Sequence, residues 1–142
     1  EPQHSHAHIS KGAVDSLRKC AEGEREGGSE GKKNPMTEGR YDLGLAVLGD
    51  KLHAIGGTGL SSVECLDLSI SNGQWTPVAS MIMPREYFGA VVAGGRIYAI
   101  GGFNFFTRNS MECFDPNEGP QGQWTLTSEA LDFRMRAEFA AL

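Results

Sequence analysis

The segment Lys51-Leu52-His53-Ala54-Ile55-Gly56-Gly57 recurs in the same chain as Arg96-Ile97-Tyr98-Ala99-Ile100-Gly101-Gly102. Each copy follows a short apolar run that ends in a Gly turn, and each precedes a Glu-Cys pair and then a lone Trp. Gly56 and Gly101 lie 45 residues apart, as do Arg40 and Arg85, whereas Trp75 and Trp124 lie 49 apart, so the second copy has gained residues internally. A third copy opens at Arg136-Ala137-Glu138-Phe139-Ala140-Ala141-Leu142, matching Arg85-Glu86-Tyr87-Phe88-Gly89-Ala90-Val91 after a step of 51. A period of this size marks a supersecondary unit that cannot bury its own apolar face and must stack on copies of itself.

Within a unit, short apolar or alternating runs separated by turn residues predict four strands. The run from Leu43 to Leu48 suits a strand buried on both faces. Gly49-Asp50 and Gly94-Gly95 supply the positive φ of tight hairpins, and the second strand then ends in the double Gly at 56–57 or 101–102. Third strands are expected near Ser62 to Leu68 and Asn109 to Phe114, and fourth strands over Gln74 to Ala79 and Gln123 to Thr127. Ser71-Asn72-Gly73 and Asp115-Pro116-Asn117-Glu118-Gly119 break the chain between them. Trp75 and Trp124 are expected to anchor each unit on its neighbour, and Gly44 and Gly89 to lie where units converge.

Taken together, Arg at the start of each unit, Gly-Gly after an apolar strand carrying Tyr98 (His53 in the first copy), and then Trp75 or Trp124 resemble the kelch repeat. The resemblance covers Arg40 to Leu142 and looks most like the kelch half of BTB-BACK-kelch proteins. It implies an all-β fold: part of a kelch β-propeller, with two four-stranded antiparallel blades at 40–81 and 82–131. The first strand of a truncated third blade is expected at 132–142. A propeller closes with about four to eight blades, so such a segment is expected to be marginal alone and prone to associate.

Residues 1–39 are polar and Gly-rich, with too little apolar surface to offset chain entropy, and are expected to be disordered. Val14, Leu17 and Ala21 admit a short helix near 13–21. His4, His6 and His8 alternate but have no evident fourth ligand, so they are read as a solvated tail, with no metal or other cofactor expected. The sequence starts at Glu1, and the natural N-terminus is expected upstream. With 13 basic against 18 acidic residues and a net charge of −5, nothing draws the chain towards nucleic acid or anionic membrane. No apolar run is long enough to span a bilayer, and no signal peptide is visible. Cys20, Cys65 and Cys113 form no Cys-x-x-Cys pair, and the last two occupy matching places in the repeat. Repeated core thiols in a reducing, cytoplasmic compartment are expected.

No catalytic pairing, P-loop or dinucleotide fingerprint is present, and no enzymatic activity is expected. His53 matches Tyr98, which favours a packed aromatic over a base; Glu64 matches Glu112, which favours a repeated hydrogen bond or a solvated position. Partner-binding candidates are of two kinds. Arg40, Arg85 and Arg136 either present guanidinium forks to a ligand's carboxylates around the ring opening or tie loops together through backbone carbonyls. The loop after the second double Gly is three residues longer than the first and carries Phe105 and Phe106 beside Arg108, a combination enriched at interfaces. One of the two Phe residues is expected to fold inward as the loop's plug.

The resemblance implies a protein-interaction module that recognises a protein substrate for a cullin-type ubiquitin ligase, joined to it only through a BTB domain absent from this chain. An actin-binding kelch scaffold without a ligase is the alternative. A propeller enzyme similar to galactose oxidase or the sialic-acid-isomerising kelch proteins would need groups from other blades.

Overall fold

A computed structural model describes residues 36–127. Residues 1–35 of the tail, with its His residues, Cys20 and the 13–21 helix, and Arg136 and the third-blade strand lie outside the described residues. Residues 36–39, expected with the disordered tail, instead join the first blade, Met36 in its core and Thr37 bonded to Glu64.

Eight strands form two antiparallel sheets. β1 (Gly44–Leu48), β2 (Lys51–Ile55), β3 (Val63–Asp67) and β4 (Thr76–Val78) lie side by side in sequence order. β5 (Gly89–Ala93), β6 (Arg96–Ile100), β7 (Met111–Asp115) and β8 (Gln123–Thr127) repeat the arrangement. These are the two four-stranded blades that the repeat implies.

The hairpins follow from their turn residues. Leu48 pairs with Lys51 across Gly49-Asp50, where only Gly49 is left-handed (φ 61°), the pattern of a type II′ turn. Ala93 pairs with Arg96 across Gly94-Gly95, and both are left-handed, which suits type I′. Two-residue loops of these types match the strand twist and fix the register, and the register sorts side chains to the two faces. On blade 1, Leu52, Ala54 and Leu66 turn away from blade 2 and pack with Met36 and Trp75. Ala46, Ile55 and Val63 turn the other way, onto Ile97, Ala99, Phe114 and Trp124 of blade 2.

The seam between blades is therefore apolar and close-packed, and it continues as a chain of rings. His53 lies 5.6 Å from Phe114, and Phe114 lies 5.2 Å from Trp124. The Trp124 indole donates to the Ala79 carbonyl at 2.9 Å, and the Ala79 N–H donates to the Gln121 carbonyl at 3.2 Å. Gly44 sits where Phe88 of the next blade arrives: an added Cβ would come within 2.6 Å of that ring. Gly89 has no such neighbour among the described residues; the nearest atom to an added Cβ is 3.8 Å away. Cys65 and Cys113 are buried, opposite His53 and Tyr98 respectively.

Candidate interaction face

Four connections meet at one end of the blades: the segments opening β1 and β5, and the loops β2–β3 and β6–β7. Backbone bonds tie them together. Thr58 N–H donates to the Tyr41 carbonyl (2.9 Å), and its repeat image Phe103 N–H donates to the Glu86 carbonyl (3.0 Å). Gly57 N–H crosses to the Arg85 carbonyl of the next blade at 2.9 Å. Gly57 has φ 117° and its added Cβ would stand 2.9 Å from the Tyr41 carbonyl oxygen, so only glycine fits where these loops converge.

Arg40 and Arg85 do not present forks to solvent. They are 0% and 1% exposed, because each guanidinium fills the base of its own loop. Arg40 donates to the carbonyls of Gly56 (2.8 Å) and Ser62 (2.7 Å) and to the Glu64 carboxylate (3.1 Å). Arg85 donates through Nε to Glu112 (2.8 Å) and through Nη1 to the carbonyls of Gly101 (2.8 Å), Ser110 (3.2 Å) and Thr107 (3.5 Å). Of the two roles open from the sequence, the geometry of these two guanidinium groups is that of loop braces. Buried N–H donors are costly without acceptors, and the loop carbonyls and the two carboxylates take up most of them, although Arg40 Nε is buried without a partner.

Glu64 and Glu112 complete the device. Glu64 accepts from the Thr37 N–H and hydroxyl, and Glu112 from the N–H groups of Ile82 and Met83, so each carboxylate also pins the segment arriving before its blade. Burial pushes the Glu64 carboxyl up, but the Thr37 donors and Arg40 together outweigh it and hold the group below its ordinary value.

The longer β6–β7 loop also differs from expectation. Its buried residue is Thr107, whose N–H and hydroxyl both bond the Asn104 side chain at 2.9 Å. Asn104 closes the turn in this way, so Phe105 and Phe106 stand outward on it. They are 74% and 76% exposed and meet edge-to-face at 5.9 Å, with the Arg108 guanidinium 5.0 Å from the Phe105 ring centre. Neither Phe is a plug.

Three aromatics on this end were missed from sequence: Tyr41, Tyr87 and Phe103, all exposed. Tyr87 and Phe103 face each other at 5.9 Å. Tyr87 is left-handed (φ 50°), as is Asp42 (φ 56°) at the matching place in the first unit. Glycine, asparagine and aspartate adopt that conformation readily, and tyrosine does not. The Tyr87 phenol is pushed up, first by its hydrogen bond to the Asp42 carboxylate, then by the charge on Asp42, by burial and by the charge on Glu86.

His53 and Tyr98 occupy the same place and are both buried, His53 as a seam aromatic whose Nδ1 has no hydrogen-bond partner. Desolvation lowers its pKa from the ordinary 6.5. Among the described residues, no three His, Cys, Asp or Glu side chains are grouped to hold a metal ion, and no helix is long and apolar enough to cross a membrane.

Paired four-stranded sheets with apolar seams and loops gathered at one end define blades of a β-propeller. The Kelch motif matches residues 39–82 and 84–129, and the chain belongs to the kelch-repeat family. Spermatocyte protein spe-26 of Caenorhabditis elegans is 35% identical over 109 residues, 69% of this chain and 18% of that protein. Kelch repeat and BTB domain-containing protein 13 of Homo sapiens is 37% identical over 92 residues, 60% of this chain and 20% of that protein. Kelch-like protein 36 of Rattus norvegicus is 33% identical over 82 residues, 52% of this chain and 13% of that protein. The chain therefore spans at most a fifth of the length of these relatives. Two solved structures share the fold. YjhT has a TM-score of 0.57 at 17% identity, covering 68% of this chain and 29% of its own. A fungal alcohol oxidase of the AA5 family, in complex with copper, has a TM-score of 0.55 at 23% identity, covering 66% and 23%.

Proposed function

We propose that these blades belong to a protein-interaction module, and that within its parent protein the module selects a substrate for a cullin-type ubiquitin ligase. The observation that carries the reading is the outward display of Phe105 and Phe106 on a turn braced from beneath by Arg85. Two large aromatic side chains held in solvent on a fixed loop gain most by being covered, and aromatics of this kind dominate interface energetics. Arg108, stacked on Phe105, adds a polar edge to the same patch. Membership of the kelch family, and a relative whose name includes a BTB domain, support the adaptor role. The link to a ligase would run through a BTB domain outside this chain. Cys65 and Cys113, buried at matching places in the two blades, accord with core thiols in a reducing, cytoplasmic setting.

The test replaces Phe105, Phe106 and Arg108 by Ser in the parent protein. Co-purification of a protein substrate should be lost while co-purification of the cullin and the thermal melt are retained. Unchanged substrate capture refutes the assignment of the loop. Co-sedimentation with actin filaments in place of cullin binding would move the module to the cytoskeletal class.

A further inference from the structure

The loop end carries an unequal set of charges. Its arginines at 40 and 85 are consumed by Glu64 and Glu112, and Arg108 lies over Phe105. Glu38, Asp42 and Glu86 remain on this end as partly or largely exposed carboxylates, and Glu38 also reaches Arg40 and Ser62. The two that are left, Asp42 and Glu86, flank the Tyr87–Phe103 pair. Tyr87 N–H donates to the Asp42 carbonyl at 3.2 Å, and Phe103 N–H donates to the Glu86 carbonyl at 3.0 Å.

Asp42 and Tyr87 are also repeat images of each other, and they touch. Positions related by rotation about an axis can meet only near that axis, so this contact lies towards the hub of the ring. Two exposed ring faces, each negative at its centre, thus stand beside two carboxylates at the inner edge of the loop end. Such a surface repels an acidic ligand. It attracts a cation, which gains from both the ring quadrupole and the carboxylate charge.

We propose that Tyr87 and Phe103, with Asp42 and Glu86, receive a basic side chain, arginine or lysine, from an extended segment of the protein partner. This rests on the interaction-module reading and names the chemistry that its hub side selects. Phe105 and Phe106 then cover apolar residues of the same partner further out, where Arg108 disfavours a second cation.

The probes are N-acetyl-arginine amide, N-acetyl-lysine amide and N-acetyl-glutamate amide, titrated into the labelled parent protein and followed by NMR at Tyr87 and Phe103. Both cationic probes should produce saturable shifts at these two residues, weakened by added salt, and the glutamate probe should not. The D42N/E86Q variant should bind the cationic probes roughly fivefold more weakly, a loss within the range of exposed charge and cation–π contacts. F105S/F106S should leave the titration unchanged. Equal shifts with the glutamate probe, indifference to D42N/E86Q, or the absence of any saturable shift would each overturn the proposal. The two readings fail separately: loss of substrate capture in F105S/F106S with a flat titration leaves the module standing without this site, and the converse result leaves the site standing without the module.

Discussion

Trp124, on the outermost strand of the second blade, donates its indole N–H to the carbonyl of Ala79 on the first blade, 2.9 Å away. One side chain thus joins the apolar seam to the backbone of the neighbouring sheet, and the blades are held as a pair rather than as two hairpin stacks.

Replacing Trp124 by Phe should therefore cost more than the lost ring area. The Ala79 carbonyl loses its partner, and a net loss of about 1 kcal/mol from that bond is expected on top of a small packing deficit. Trp124→Ala should cost about 3–5 kcal/mol. Urea denaturation followed by circular dichroism checks both; equal midpoints for Phe and Trp would show that the hydrogen bond contributes nothing.

The Arg85–Glu112 pair makes a sharper prediction. Glu112→Ala strands a buried guanidinium and Arg85→Ala a buried carboxylate, and each should destabilise by about 3–5 kcal/mol. Arg85→Met with Glu112→Leu removes both charges and should cost less than the sum of the single changes. Arg85→Lys should not restore the parent, because an ammonium cannot span the carbonyls of Gly101 and Ser110 together with the carboxylate. A double-mutant cycle in denaturant decides it.

His53 supplies a pH dependence. Its folded pKa is depressed, so between its unfolded value near 6.5 and the lower folded value the unfolded chain binds more protons. Stability should fall as pH drops through that window and level off below it. Glu64, also depressed, contributes stability above its ordinary 4.5 that is lost further into acid. Melting temperature measured from pH 8 to 4 should show the upper step in the parent and not in His53→Phe; an identical profile in both would remove His53 from the account.

Two glycines should respond unequally to substitution. Gly57→Ala puts a Cβ 2.9 Å from the Tyr41 carbonyl oxygen at φ 117° and should destabilise by at least ~1–2 kcal/mol. Gly49→Asn, at φ 61° with open space around it, should be nearly neutral, since asparagine tolerates the left-handed region. A comparable loss at both sites would mean that conformation alone, and not the crowded loop junction, sets the cost at Gly57.

The fold was legible because its signals are local. Hairpin registers follow from Gly49-Asp50 and Gly94-Gly95, and a face whose residues alternate along a strand declares itself within five positions. The buried aromatic roles of His53 and Tyr98 were legible for a related reason: each explains the other by occupying the same place in the repeat.

Sequence by itself determined that two copies of one four-stranded unit would be made and stacked, since apolar period and turn chemistry are properties of neighbouring residues. Tertiary structure alone decided the fate of Arg40 and Arg85, whose carboxylate partners lie 24 and 27 residues away, and the outward stance of Phe105 and Phe106. A guanidinium is a ligand fork or a loop brace according to which acceptors the folded chain brings within reach. An aromatic on an inserted turn is buried or displayed according to which residue of that turn, here Thr107, takes the space beneath.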